Sequence, residues 1–174
     1  MNNNSTKKKI TLIIDLVAIA LLIAFDQFTK YLAVQNLKDQ DSLVLIPGVL
    51  ELTYLKNRGA AFGILQDQKV FFIMIAVMIL VVIAYVLFRL PLEKKYIFMQ
   101  IVLVMIASGA AGNMIDRVRN DYVVDFIYFV IINFPIFNVA DIYVTIGTAM
   151  LVICLLFVYK DEDFNRIFRK KKNL

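Results

Sequence analysis

Four long apolar stretches, each broken by few polar positions, recur along the chain. They cover about residues 10–34, 70–88, 97–114 and 139–159. A helix rises about 1.5 Å per residue, so about 20 residues cross the roughly 30 Å hydrocarbon layer of a bilayer. The pattern therefore predicts four transmembrane helices.

The segments between and after these stretches have different patterns. Residues 43–55 are two β-prone runs separated by a Pro-Gly turn signal, which predicts a hairpin inside a β-rich segment at about 40–66. We predict a loop over 115–138 and a charged tail over 160–174. The expected fold is an all-α integral membrane protein of one domain, with four transmembrane helices and a small extracytoplasmic β element.

The composition of the chain supports a membrane protein. Of its 174 residues, 61% are hydrophobic and only 19% are charged, and the mean hydropathy is +0.75. Soluble domains contain about 45–50% apolar and about 25% charged residues. Most of the apolar surface is therefore expected to face lipid.

The basic residues predict the orientation. Twelve of the nineteen lysines and arginines fall on one side of a four-span topology: Lys7, Lys8, Lys9, Arg89, Lys94, Lys95, Lys160, Arg166, Arg169, Lys170, Lys171 and Lys172. The positive-inside rule makes that side cytoplasmic, so both termini are expected inside and residues 36–69 and 114–138 outside. Topology and contact with anionic lipid explain the net charge of +5 better than nucleic-acid binding, which we do not expect.

The residue types missing from the sequence restrict the chemistry. The chain has no histidine and a single cysteine, Cys154. An HExxH zinc site, a Ser-His-Asp triad and a Cys-His pair are thereby excluded, and no disulfide can form within the chain. A hydrolase of this sequence must use carboxylates or a Ser/Lys pair. We expect no metal and no cofactor.

Two aspartates in apolar surroundings are the candidate catalytic residues. Asp125 lies in an apolar part of the predicted loop, and Asp141 lies at the outer start of the fourth span. Ionisable residues at membrane depth are costly and usually functional. Two carboxylates brought together share a proton, so that one activates water and the other polarises a carbonyl, as in an aspartic protease. The alternatives are a solvated loop carboxylate for Asp125 and a favourable helix-dipole interaction for Asp141.

Further polar residues lie near the outer ends of the spans. Asp26 and Lys30 have the i,i+4 spacing of a helical ion pair, and Asn138 is three residues before the second candidate aspartate, on the same face of a helix. Asn113 and Arg117 share a face if the third helix continues. Arg117 could instead pair with its neighbour in sequence or face the lipid head groups.

Three other functions compete with a carboxylate peptidase. A small proton-coupled transporter would use Asp26, Asp125 and Asp141 as a relay, but the two halves of the chain show no internal repeat. A non-enzymatic membrane scaffold would not need acids in apolar outer segments. A Ser/Lys peptidase would have to use Ser108, which lies within the third span without a matched lysine.

Five short motifs resemble those of the lipoprotein signal peptidases (signal peptidase II). They occur in the order and at the spacing of that family, over nearly the whole chain. The motifs are Asp26-Gln27-Phe28-Thr29-Lys30, Asn57-Arg58-Gly59-Ala60-Ala61-Phe62, Gly112-Asn113-Met114-Ile115-Asp116-Arg117, Val123-Val124-Asp125-Phe126 and Phe137-Asn138-Val139-Ala140-Asp141.

The resemblance implies that Asp125 and Asp141 are a catalytic aspartate dyad. It implies that the positions lining or supporting the site are Asp26, Lys30, Asn57, Gly59, Asn113, Arg117 and Asn138. The implied substrate is a prolipoprotein whose cysteine carries a diacylglyceryl group, cut just before that cysteine. The resemblance also implies inhibition by the cyclic peptide globomycin, and a location in the bacterial cytoplasmic membrane with the active site at the outer face.

Overall fold

The computed structural model describes residues 2–59 and 64–168. It contains five α-helices and three strands. In chain order they are α1 (Asn2–Leu37), β1 (Leu43–Ile46), β2 (Leu50–Asn57), α2 (Lys69–Arg89), α3 (Ile97–Asn120), β3 (Val123–Phe129), α4 (Val139–Ile153) and α5 (Asp161–Phe168). Short 3₁₀ turns precede α3 and follow β3, and a π-helical turn, Cys154–Val158, continues α4.

Four helices in the described part of the chain are long and apolar enough to cross a membrane, which confirms the predicted fold class. Their spanning segments are Asn4–Leu37, Lys69–Arg89, Lys94–Asn120 and Val139–Val158. In α3, 56% of the most apolar stretch is buried, against 11–17% in the other three. The third helix is therefore the centre of the bundle, and the others present their apolar side chains outward, where lipid would lie.

The three strands form one antiparallel sheet in the order β1-β2-β3. The predicted hairpin is present, with its turn at Pro47 and Gly48, and Gly48 has the positive φ of 71° that favours glycine. The sheet lies beside the ends of α1 and α3 and the start of α4, and we call this the sheet end of the bundle. The α5 helix packs at the opposite end, where Asp163 accepts hydrogen bonds from Lys95 and Tyr96.

The segment 115–138 differs from the predicted loop. The third helix continues to Asn120, and Val123–Phe129 form the third strand. This run is almost entirely β-branched and aromatic, a composition that favours strands, and it pairs with β2 over most of its length. The motif residues Ala60, Ala61 and Phe62 lie outside the described residues, as do residues 169–174 of the predicted tail.

Candidate active site

A cavity of about 680 Å³ opens at the sheet end, and both candidate aspartates line it. The alternation of side chains along β3 directs Asp125 and Ile127 into this cavity, whereas Val124 and Phe126 pack against the end of α1. Asp141 enters from the first turn of α4. Only 1% of Asp125 is exposed, so it is a buried carboxylate and not the solvated loop residue of the alternative interpretation.

Two asparagines donate to Asp125. The Nδ2 atom of Asn57 lies 2.8 Å from Oδ2, and the Nδ2 atom of Asn138 lies 2.6 Å from Oδ1. The first contact follows from the sheet register: Leu55 is opposite Asp125 and Asn57 is opposite Val123, so the two polar side chains are diagonal neighbours on one face. Each carboxylate oxygen therefore has an amide donor.

Asn138 is the N-cap of α4, and the prediction that it shares a helix face with Asp141 is wrong. Its backbone is extended, with φ −133° and ψ −177°, so it precedes the helix. Its side chain accepts a hydrogen bond from the backbone N–H of Asp141 at 3.0 Å, and the Asp141 carboxylate accepts one from the backbone N–H of Asn138 at 3.1 Å. This reciprocal capping box fixes Asp141 in the first turn, and the side-chain NH₂ group of Asn138 remains available to donate to Asp125.

Asn113 connects the two aspartates to the ion pair of α1. Its Nδ2 atom donates to Asp141 at 2.7 Å, and its Oδ1 atom accepts from Asn138 at 3.1 Å and from Lys30 at 2.9 Å. A chain of amide groups thus links Asp125 to Asp141 through Asn138 and Asn113. Because each amide group donates and accepts at once, its orientation is fixed by its neighbours.

The predicted ion pair of α1 is present but larger than expected. The Nζ atom of Lys30 lies 3.0 Å from Asp26 and 3.1 Å from Asp116, and all three side chains are almost completely buried. Gln27 donates to both carboxylates. Asp116 and Gln27 stand in the motifs, but the sequence did not mark them as site residues.

Arg117 lines the cavity, whereas Asp116, the partner that the sequence suggested, pairs with Lys30 instead. Its Nη2 atom donates to the carbonyl of Gly59 at 2.9 Å, and its guanidinium lies 4.5 Å from the centre of the Phe72 ring. A guanidinium stacked on an aromatic ring is a favourable cation–π contact. The side chain therefore connects Gly59, just after β2, with Phe72 of α2.

Glycines let the elements of the site approach one another. A Cβ on Gly112 would lie 2.6 Å from a carboxylate oxygen of Asp26, and a Cβ on Gly109 would lie 2.4 Å from the carbonyl oxygen of Ala140. A Cβ on Gly59 would meet the carbonyl oxygen of Ile64 at 2.5 Å. Any side chain at these positions would require the neighbouring backbone or carboxylate to move.

The surroundings of Asp125 favour its protonated form. Burial, and next the charge of Asp141, raise its pKa from 3.8 to about 7, although the hydrogen bonds from Asn57 and Asn138 act in the opposite direction. A carboxyl group with this pKa is partly protonated near neutral pH. The pair can therefore hold one proton between two carboxylates under physiological conditions.

Apolar side chains form most of the cavity wall. Phe129, Phe134 and Phe137 lie on the sheet side, and Ile142 and Ile146 lie along α4. The two aspartates are therefore at the polar end of a space suited to an apolar ligand. Ser108, the alternative nucleophile, is fully buried and donates to the carbonyl of Val104 in its own helix, so it packs within α3.

The sequence profile of a family described as "Signal peptidase (SPase) II" matches residues 18–157. The chain belongs to this family. Its enzymes are proteases, so the transporter and scaffold alternatives are disfavoured. Within the matched range lie all nine residues predicted for the site.

Curated relatives of the chain agree with the family. A lipoprotein signal peptidase of Streptococcus pyogenes serotype M5 (strain Manfredo) is 45% identical over 148 residues, which cover 84% of this chain and 93% of the relative. The lipoprotein signal peptidase of serotype M3 (strain ATCC BAA-595 / MGAS315) is 44% identical with the same coverage.

Two solved structures of bacterial membrane enzymes have the same fold. One superposes with a TM-score of 0.71 at 34% identity and covers 92% of this chain and 94% of its own. The other has a TM-score of 0.71 at 38% identity and covers 84% of this chain and 94% of its own. This signal peptidase II family member is therefore a multi-pass membrane protease of a known fold.

Proposed function

We propose that the chain is an aspartic endopeptidase that removes the signal peptide from diacylglyceryl-modified prolipoproteins. The observation that carries the proposal is the pair of aspartates, Asp125 and Asp141, which enter one cavity from separate elements and are joined through Asn138 and Asn113. Neither carboxylate needs a histidine or a metal to activate water if the two share one proton.

The first step is addition of water to the scissile carbonyl. The ionised carboxylate of the dyad takes a proton from water as the water oxygen bonds to the carbonyl carbon. The protonated partner gives its proton to the carbonyl oxygen, which yields a neutral gem-diol and leaves the dyad with one proton again. Positioned acid and base groups of this kind contribute about 10²–10⁴-fold to a rate.

The second step breaks the peptide bond. The protonated carboxyl donates to the amide nitrogen, and its partner accepts a proton from one hydroxyl of the gem-diol. The C–N bond then breaks, which releases the amino group of the lipidated cysteine and the carboxyl group of the signal peptide. The dyad again carries one proton, so the cycle needs no other acid or base.

The supporting residues hold this geometry. Asn57 and Asn138 donate to Asp125, and Asn113 donates to Asp141, so each carboxylate presents a fixed edge to the cavity. Arg117 donates to the carbonyl of Gly59 and so fixes the end of β2 at the cavity wall. We propose that the substrate peptide binds in the cavity beside Gly59, while its acyl chains remain among lipids beside the apolar wall.

The distribution of basic residues supports the orientation in the membrane, and membership of the family supports the location. We propose a bacterial cytoplasmic membrane with both termini inside, which puts the sheet end and the aspartates at the outer face. Signal peptides of exported lipoproteins reach that face, and the apolar cavity beside the aspartates suits them. We also propose that globomycin, as a cyclic peptide, competes for the same cavity.

The test uses purified protein in detergent with a prolipoprotein peptide in two forms, with and without the diacylglyceryl group. We expect cleavage of the modified form alone, with mass spectrometry showing a new N-terminus at the lipidated cysteine, and inhibition by globomycin. Equal cleavage of the unmodified peptide, or a cut at another bond, would contradict the proposed substrate.

A further inference from the structure

Two buried carboxylates outside the dyad each accept a hydrogen bond from the backbone N–H of the residue that precedes a dyad aspartate. Asp26 accepts a hydrogen bond from the backbone N–H of Ala140 at 2.9 Å, and Asp116 accepts one from the backbone N–H of Val124 at 3.1 Å. Ala140 directly precedes Asp141, and Val124 directly precedes Asp125. Each dyad aspartate therefore follows a peptide group that is held by a separate carboxylate.

Lys30 joins these two carboxylates. Its ammonium group lies 3.0 Å from Asp26, 3.1 Å from Asp116 and 2.9 Å from the side-chain oxygen of Asn113. Only 3% of Lys30 is exposed. Gln27, in the preceding turn of α1, donates to both Asp26 and Asp116. The cation thus has three acceptors and is held between the peptide groups that precede the two aspartates.

These contacts add a second link between the strand β3 and the helix α4. The two elements are joined by residues 130–138; β3 pairs with β2 along its edge and forms backbone hydrogen bonds with Phe137, just before α4. Hydrogen bonds to charged acceptors are roughly twice as strong as neutral ones. Asp116 of α3 holds β3, and Asp26 of α1 holds α4. Together these contacts fix the position of β3 relative to α4 beside the dyad.

We propose that Asp116 is a positioning residue for peptide-bond cleavage: through Lys30 and Asp26, it sets the separation of the backbones that carry Asp125 and Asp141. This inference rests on the proposed function. It gives Asp116, which contacts neither aspartate side chain, a role distinct from those of the dyad and its asparagines. Displacement of reacting groups by about 1 Å can cost about a hundredfold in rate.

Two variants separate positioning from folding. Asp116→Ala removes both the acceptor for Val124 and the partner of Lys30. Asp116→Asn keeps an oxygen acceptor but loses the charge, so its hydrogen bond to Val124 is weaker. The exposed Asp41, in the connection between α1 and β1, provides the matched controls Asp41→Ala and Asp41→Asn.

The measurements are kcat and KM for the diacylglyceryl-modified peptide, corrected for the folded fraction, and amide hydrogen exchange in the segment around Val124. We expect Asp116→Ala to lower kcat about a hundredfold and Asp116→Asn about tenfold, with KM within about twofold of wild type. Exchange at Val124 should rise in the same order, and both Asp41 variants should match the wild type.

Several outcomes would overturn the inference. One is a wild-type kcat in the folded fraction of Asp116→Ala or, if that variant does not fold, of Asp116→Asn. Another is unchanged exchange at Val124 in the folded variant. If the wild-type protein does not cleave the peptide at all, the proposed function fails, while the exchange measurement still decides whether Asp116 holds the strand.

Discussion

At the scale of single residues, neutral amide groups surround the two carboxylates that share a proton. Asn57, Asn113 and Asn138 surround the two carboxylates without adding charge, so the pair can hold one proton near neutral pH. An arginine or lysine in contact with either acid would favour full ionisation instead. Lys30 donates to Asn113, and its charge lowers the pKa of Asp125 less than burial and the charge of Asp141 raise it.

Replacement of Asp125 by asparagine should change how stability depends on pH. The pKa of Asp125 rises from 3.8 to about 7 on folding, so the wild-type fold is penalised increasingly as pH rises from about 4 to about 7, and by a constant amount above that. We expect the melting temperature of Asp125→Asn, relative to wild type, to increase over this range and then level off.

Thermal unfolding in detergent between about pH 4 and about pH 9 provides the check, because this range begins near the unfolded-state pKa of 3.8 and ends well above the folded-state pKa of about 7. The exposed Asp41→Asn is the control, and its melting temperature should follow the wild type at every pH. A difference in melting temperature between Asp125→Asn and wild type that does not vary with pH would contradict the raised pKa of Asp125.

At the scale of elements, the close packing of α3 against the start of α4 determines where Asp141 lies. Gly109 faces the carbonyl of Ala140, whereas Gly147, on the other side of the same interface, faces the Cγ1 atom of Ile106. Small residues of this kind allow helix backbones to approach closely in membranes. Only the first of them controls the backbone beside the dyad.

Substitution of these two glycines should have unequal effects. In Gly109→Ala the new Cβ would lie 2.4 Å from a backbone oxygen, so α4 must shift and activity should fall by about a hundredfold. In Gly147→Ala the Cβ would meet Cγ1 of Ile106 at 2.8 Å, so a side chain away from the dyad must shift and activity should fall less. Peptide-cleavage assays of both variants, with melting temperatures, test this; equal losses of activity would contradict it.

The sequence predicted the helices and the hairpin well because their signals are local. Apolar stretches of sufficient length identified the four spans, and a Pro-Gly turn identified the hairpin. The third strand was missed although its run of β-branched and aromatic residues favours one, because its partner strand lies far away in sequence. The capping role of Asn138 had a local signal too, since Asn138 and Asp141 have the spacing of a capping box.

Asp116 illustrates what local patterns leave out. The spacing of Asp26 and Lys30 already gives the lysine an acidic partner within one helix, so the sequence gives no reason to expect a second acidic partner. That Lys30 also contacts Asp116 depends on which face of α3 packs against α1. The two dyad aspartates were found because each is an acid in an apolar run, a property that Asp116 does not share.

At the scale of the whole molecule, the proposed function requires that the sheet end lie outside the cell. The predicted orientation puts Asp41 outside and Lys94 inside, at opposite ends of the bundle. We expect Asp41→Cys to react with a membrane-impermeant maleimide in intact cells, and Lys94→Cys to react only after lysis. The native Cys154 is fully buried, so background labelling should be low. The reverse pattern would invert the topology and contradict the proposed location.

The most direct test of the central claim is the cleavage rate of purified Asp125→Asn and Asp141→Asn on a diacylglyceryl-modified prolipoprotein. Each variant keeps the size of the side chain but cannot share the proton, so we expect each rate to fall by about 10²–10⁴-fold. Asp41→Asn should cleave at the wild-type rate. Full activity in either of the two dyad variants would contradict the assignment of Asp125 and Asp141 as the catalytic pair.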